Sequence, residues 1–167
     1  MRRYVLGFAF DNGWRNVLLV WRTKSDFQYG KMNGLGGKIC EGETPCQAMR
    51  REFLEETGGR AGDLSFTPFG RLRGDDTVRA PSMFEVWLFH GRYPGEFSPR
   101  LNDVVVEGEG VLQVVPREDL ANLPVLPNLR YLVPMALNHA RGLDSAKFFD
   151  VSETSLSPEV GSVGGGS

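Results

Sequence analysis

The sequence predicts a mixed α/β domain in which short apolar strands surround one strongly capped helix and an amphipathic helix follows near the C-terminal end. Three observations carry this. Arg3–Phe10 and Asn16–Trp21 are rich in Val, Leu, Phe and Tyr and are separated by Asp11-Asn12-Gly13, the pattern of two strands joined by a turn. Thr44, Pro45 and Gln47 stand where an N-cap, a first helical residue and a capping-box partner belong. A helix should therefore run from Pro45 to about Thr57, stopped by Gly58-Gly59. Finally, Leu132, Val133, Ala136, Leu137 and Ala140 share one face of a predicted helix Leu129–Arg141, opened by Pro127 or Asn128.

The other elements follow in order. Gly30–Gly37 holds four glycines in eight residues, too many for a helix or for the interior of a regular strand. Leu64–Leu72 and Ser82–Arg92 read as strands, with Gly74-Asp75-Asp76 between them as a turn. Gly108–Gly110 breaks the chain before a strand at Val111–Val115, and Lys147–Val151 reads as a short edge strand. From Ser152 the composition turns to Ser, Gly and Glu and ends in VGGGS, as in a disordered tail or linker. Residues 1–151 are expected to form one domain and 152–167 the tail.

A chain of 167 residues with 41% hydrophobic and 24% charged side chains can bury one ordinary core. The net charge of −2 argues against a general nucleic-acid binder, which carries a basic surplus. It permits a small anionic substrate whose charge is offset locally. Cys40 and Cys46 are too few for a zinc site of about four ligands or for a disulfide framework. They read as reduced cysteines of a cytoplasmic protein. The N-terminal MRRYVLGFAF breaks at Asp11 without a cleavage site, and no stretch reaches the ~18 apolar residues of a membrane span. Neither a stable nucleic-acid partner nor a membrane is expected; a monomer is, with a dimer left open.

Glu52, Glu55 and Glu56 stand at i, i+3 and i+4 of the predicted helix, so they share a face and repel one another. Taken alone, they fit a solvated acidic face paired to Arg50 and Arg51. They also fit a hard divalent cation such as Mg²⁺, which takes carboxylate oxygens and keeps waters for phosphates.

Their surroundings carry a resemblance. GKICEGETPCQAMRREFLEETG, Gly37–Gly58, resembles the Nudix box, G-x5-E-x7-R-E-U-x-E-E-x-G-U with U a bulky apolar residue. Gly37, Glu43, Arg51, Glu52, Glu55, Glu56 and Gly58 occupy its fixed positions and Phe53 its first bulky slot. Gly59 departs from the last one. The resemblance implies the Nudix fold, an α/β/α sandwich with a loop–helix–loop motif at 37–59. It implies that Glu52, Glu55, Glu56 and the Gly37 carbonyl bind Mg²⁺ or Mn²⁺, that Glu43 and Arg51 pair in support, and that water attacks phosphorus. A further carboxylate from a loop before a late strand is expected to accept the proton; Glu107 and Glu109 are the candidates, with Glu109 preferred.

The flanking residues bear on the substrate. Phe27 and Lys31–Lys38 resemble the base-side segment of the MutT-like oxidised purine nucleoside triphosphatases within that family. Asn33 would offer a donor and an acceptor to a purine edge, Phe27 would stack on the base, and Gly36, Lys38 and Arg22 would approach the nucleotide. As an alternative, Asn33 is a turn residue tolerating positive φ. The stretch from Leu126 to Pro134 resembles the base-reading segment of the same group, but without its paired acids. Asn128 would bond a guanine-like edge or cap the helix. Marks of ADP-ribose and dinucleoside polyphosphate hydrolases are missing past the box, where Gly74, Asp75 and Asp76 stand. The expected function is hydrolysis of a (d)NTP, such as 8-oxo-dGTP, to monophosphate and pyrophosphate. The alternatives are an ADP-ribose or dinucleoside polyphosphate pyrophosphatase and a catalytically silent binding module.

Overall fold

A computed structural model describes residues 1–75, 83–143 and 148–152. Its strands are β1 (Arg2–Phe10), β2 (Asn16–Arg22), β3 (Met32–Asn33), β4 (Leu35–Lys38), β5 (Phe66–Asp75), β6 (Met83–Arg92), β7 (Val105–Val106), β8 (Gly110–Pro116) and β9 (Phe149–Ser152). Two helices, α1 (Pro45–Thr57) and α2 (Leu129–Ala140), complete the frame, with 3-10 turns at Pro99–Leu101 and Arg117–Asn122. The strands form one mixed sheet in the order β7-β8-β2-β1-β6-β5-β9.

β1 and β2 form the expected hairpin, but they pair only beside the turn, at Ala9↔Leu18 and Phe10↔Val17. Buried Asp11 builds that turn, accepting the Arg15 N–H at 2.8 Å and the Asn16 Nδ2 at 2.6 Å. Beyond it the two strands splay. β3 pairs with β2 and β4 with β1 in the opening. The glycine-rich segment is thus two short strands rather than an irregular loop, and close backbone approach is the reason for its glycines. A Cβ on Gly36 would lie 2.0 Å from the Val5 carbonyl oxygen, a contact only glycine escapes.

Alternation along β1 and β2 divides the core between the two faces. Val5, Ala9, Leu18 and Val20 join Met49 and Phe53 of α1, whereas Leu6, Phe8, Phe10, Val17 and Leu19 join Leu129, Leu132, Val133 and Ala136 of α2. The result is the three-layer α/β/α arrangement. Each buried Phe or Leu in these layers contributes about 1.5–3 kcal/mol relative to exposure.

α1 begins with the full capping box: Gln47 N–H donates to Thr44 Oγ1 at 3.2 Å, and Thr44 N–H to Gln47 Oε1 at 2.9 Å. It ends at Gly58 in the left-handed region, φ 61°. α2 ends at Ala140, and its last turn is tied to β6 through the His90–His139 ring contact, 2.9 Å between Nε2 and Nδ1. Burial and the neighbouring His139 ring hold the His90 pKa down at about 4.

Several expectations are corrected. Gly74 and Asp75 are not a turn, because β5 continues through them and pairs with Phe84 and Met83 of β6. The edge strand lies at Phe149–Ser152 and takes in Ser152, which the composition assigned to the tail; it pairs in parallel with β5. β7 and the two 3-10 turns are too short for periodicity to reveal. Asp76, Ser82, Lys147 and the rest of the tail, 153–167, lie outside the described residues. Cys40 and Cys46 are free and exposed. Among the described residues, no helix is long and apolar enough to cross a membrane.

Candidate active site

The acidic site is assembled where β4 turns into α1. β4 pairs with β1 at Gly37↔Val5, which lays Gly37 beneath the helix. A Cβ on Gly37 would meet Glu52 Oε1 at 2.4 Å and its Cδ at 2.6 Å. The Glu52 carboxylate therefore occupies the space that a side chain at 37 would take. Helical spacing puts Glu52, Glu55 and Glu56 on neighbouring positions, yet the sheet grades their burial. Glu56 is 3% exposed, Glu52 is half-buried, and the Glu55 side chain is 60% exposed.

Arg51 organises this corner. Its guanidinium donates to Glu43 at 3.0 Å, to Glu52 Oε1 at 2.8 Å, to Glu55 Oε2 at 3.3 Å and to the Lys38 carbonyl at 3.0 Å. It ties loop to helix, and it holds the Glu43 carboxyl below its usual range. Arg50 turns away to Asp63 at 2.5 Å, so the solvated-face reading, with both arginines on the glutamates, is half met.

Burial pushes the Glu52 and Glu56 carboxyls up. For Glu56 the repulsion of Glu52 and Glu109 adds to it, against the Gly36 N–H bonded at 2.9 Å and the Arg22 charge. Two desolvated carboxylates and a third acid thus face one another with their charge incompletely offset. Glu109 belongs to this group because β8 pairs with β2 at Arg22↔Gly110. The Glu109 carbonyl accepts the Thr23 N–H at 3.1 Å, and its carboxylate pairs with Arg22. Glu107 is exposed.

The donor set suits a divalent cation: hard carboxylate oxygens, two of them desolvated, with the Glu52 carboxylate resting on a glycine. As the side chains stand, no three such groups among the described residues already converge on one point. Arg51 holds Glu52 and Glu55, and Arg22 holds Glu109, so a cation would compete with two arginines for these oxygens.

A second group lies on the β3 side. Asn33 sits in a strand, and its φ is not positive; the turn alternative fails. Met32 N–H donates to the Pro124 carbonyl at 2.7 Å and Leu126 N–H to the Met32 carbonyl at 3.0 Å. These bonds bring the start of α2, with Asn128, against β3. Asn128 holds the N-cap position of α2 but makes no side-chain cap bond, and its Oδ1 is buried without a hydrogen-bond partner. An orphan acceptor of this kind costs ~1–3 kcal/mol unless a donor arrives. Phe27 is 69% exposed. The Lys38 side chain is exposed as well, and its carbonyl is what Arg51 uses. Two surface cavities, of about 550 and 290 Å³, lie beside Arg117 and contain none of these residues. Sequence reasoning missed Gln28, which holds the Asn33 amide, and the Pro124–Leu126 backbone; neither leaves a motif.

A short strand, a glycine-backed loop and a capped helix bearing the glutamates form a loop–helix–loop unit. The NUDIX domain model matches residues 1–135, and the chain belongs to the Nudix family. It is 33% identical over 78 residues to the oxidized purine nucleoside triphosphate hydrolase of Mus musculus, covering 43% of this chain and 44% of that one. The chain spans less than half the length of the curated relatives it matches. Among solved structures, it resembles a MutT protein from Bacillus halodurans, at TM-score 0.59 and 19% identity, over 91% of this chain and 90% of that one. It also resembles the NUDIX domain of Shewanella oneidensis NrtR in complex with ADP ribose, at TM-score 0.65 and 16% identity, over 83% and 87%.

Proposed function

We propose that this protein is a metal-dependent pyrophosphohydrolase that converts a purine nucleoside triphosphate, with 8-oxo-dGTP the first candidate, to the monophosphate and pyrophosphate. The observation that carries the reading is the grouping of Glu52, Glu56 and Glu109, in which burial first, and neighbouring carboxylates after it, raise the carboxyl pKa of Glu52 and Glu56. Such a group gains most from a divalent ion and a polyphosphate together. Glu52, Glu55, Glu56 and the Gly37 carbonyl would hold the ion. Mg²⁺ or Mn²⁺ bound there would neutralise phosphate charge and lower the pKa of a water.

The chain's own groups do the rest. Glu109, once released by Arg22, accepts the proton of the attacking water. Arg22, freed by the same exchange, meets a phosphate oxygen. Arg51, anchored on Glu43 and the Lys38 carbonyl, positions Glu52 and Glu55. Asn33 and Asn128 approach the base edge, the latter with an acceptor that needs a donor, and Phe27 is free to stack.

Incubation with Mg²⁺ and dGTP, 8-oxo-dGTP, dATP, ADP-ribose or diadenosine tetraphosphate, with products separated by ion exchange, tests the reading. Monophosphate plus pyrophosphate from a purine triphosphate is expected. Preferred cleavage of ADP-ribose, the ligand of the NrtR domain, would replace the substrate. Tight binding without turnover would replace the enzyme with a binding module.

A further inference from the structure

Residues 23–31 join β2 to β3 in a loop closed by its own backbone. Arg22 N–H donates to the Lys31 carbonyl and Gly30 N–H to the Arg22 carbonyl, both at 2.9 Å. Inside, Tyr29 N–H donates to the Asp26 carbonyl at 3.1 Å and Gln28 N–H to Asp26 Oδ1 at 2.8 Å. This turn directs Gln28 back onto β3, where its Oε1 accepts the Asn33 Nδ2 at 3.0 Å. The opposite end of the Asn33 amide is fixed too, because its Oδ1 accepts the Gly34 N–H at 2.8 Å.

The chemistry orders this chain of bonds without ambiguity. A backbone N–H only donates, so the atom facing Gly34 is the amide oxygen and the atom facing Gln28 is the nitrogen. Gln28 must then offer its oxygen. One N–H and one oxygen lone pair of Asn33 remain for a ligand, in a set orientation. Without Gln28 the amide keeps one anchor and gains rotational freedom about a broad torsion.

We propose that Gln28 is a positioning residue that fixes the donor–acceptor edge Asn33 presents to a purine, and that it thereby sets base preference. This rests on the reading of the protein as a purine nucleotide hydrolase with Asn33 on the base side. A freely turning amide can pair with the N–H and C=O edge of an oxopurine or with the amino and ring-nitrogen edge of adenine, where donor and acceptor stand in the opposite order; an amide fixed in one orientation accepts one order and opposes the other.

Three substitutions test it. Q28L keeps the bulk and removes the acceptor, Q28A removes both, and Q28E keeps an acceptor for Asn33 Nδ2. Two readouts are needed: the ¹⁵N–¹H resonances of the Asn33 side-chain amide, assigned with N33A, and kcat and KM for dGTP, 8-oxo-dGTP and dATP. Q28L and Q28A should shift the Asn33 pair, while Q28E leaves it hydrogen-bonded. They should raise KM for the preferred oxopurine by about two- to tenfold, the range of one neutral hydrogen bond, with kcat within twofold. The preference over dATP should narrow, and Q28E should restore it. An unchanged preference in Q28L, or a Q28E protein as impaired as Q28L, overturns the positioning role. An unshifted Asn33 resonance in Q28L overturns the geometry itself. If the wild type turns over no purine nucleotide while Q28L still shifts Asn33, the functional reading falls and takes the base-selection role with it; the amide geometry then stands.

Discussion

Replacing Gly37 by alanine separates the placement of Glu52 from the stability of the fold. The new methyl would lie 2.4 Å from Glu52 Oε1, 2.6 Å from Cδ and 2.8 Å from Oε2. Ordinary contact begins near 3.4 Å, so the carboxylate must retreat by about 1 Å, away from the position that Arg51 now holds at 2.8 Å. Gly37 does not have a positive φ, so alanine adds no backbone strain and loses less entropy on folding, a gain of roughly 0.4–1 kcal/mol. A displacement of about 1 Å at a catalytic group costs on the order of 100-fold in rate, which is about 2.7 kcal/mol of barrier. G37A should therefore keep the wild-type Tm within a degree or two while kcat/KM falls about 100-fold and more Mg²⁺ is needed. G36A is the contrast. Its Cβ would lie 2.0 Å from the Val5 carbonyl oxygen, and overpacking against backbone costs about 1–3 kcal/mol, so it should lose several degrees of Tm. Full activity in G37A with unchanged Mg²⁺ dependence would refute the placement of Glu52 as the working one.

Three further outcomes are expected. E109Q should lower kcat by about 100–10,000-fold, the scale of a lost proton acceptor, while E107Q stays within twofold; equal losses in steady-state assays would remove Glu109 from its role. Saturating Mg²⁺ or Mn²⁺, at about 100 times Kd, should stabilise the protein by about 2.7 kcal/mol, read as a Tm rise of about 5–10 °C, and E52Q or E56Q should abolish most of it. An equal rise in both variants would place the ion elsewhere. His90 has a folded pKa of about 4 against an ordinary 6.5. Between those values the unfolded chain takes up a proton that the folded one refuses, so stability is full above pH 6.5 and declines as pH falls towards 4. H90Q should show a shallower acid decline in Tm than the wild type, and parallel curves would dismiss the histidine pair as its source.

Much of the architecture was legible because local rules and tertiary contacts agree. Thr44 and Gln47 form the capping box that their spacing announced, and Gly58 ends α1 in the left-handed conformation expected of it. Elsewhere the two disagree. The glycines of Gly30–Gly37 argued against a strand, yet only glycine lets β4 lie so close to β1. Gly74 and Asp75 looked like a turn, yet pairing with β6 overrides their propensity. Asn128 stands at the N-cap of α2 as expected, yet its backbone is already helical, with φ −68° and ψ −20°, and its side chain makes no cap bond.

The sequence by itself determined the donor set. Residue types at 37, 43, 51, 52, 55 and 56 specify a loop and helix rich in hard oxygen ligands, because spacing along one helix is a local property. It could not grade the three glutamates, since only the sheet beneath α1 buries Glu56 and leaves Glu55 in solvent. Nor could it choose between Glu107 and Glu109, which differ by two residues in a glycine-rich turn. The register of β8 on β2 separates them in space, setting Glu109 on Arg22 and leaving Glu107 exposed. The same holds for the union of Asn33, Gln28 and Asn128. Asn33 bonds Gln28, backbone bonds join Met32 to residues 124 and 126, and a contact between segments some ninety residues apart leaves no periodic trace in the chain.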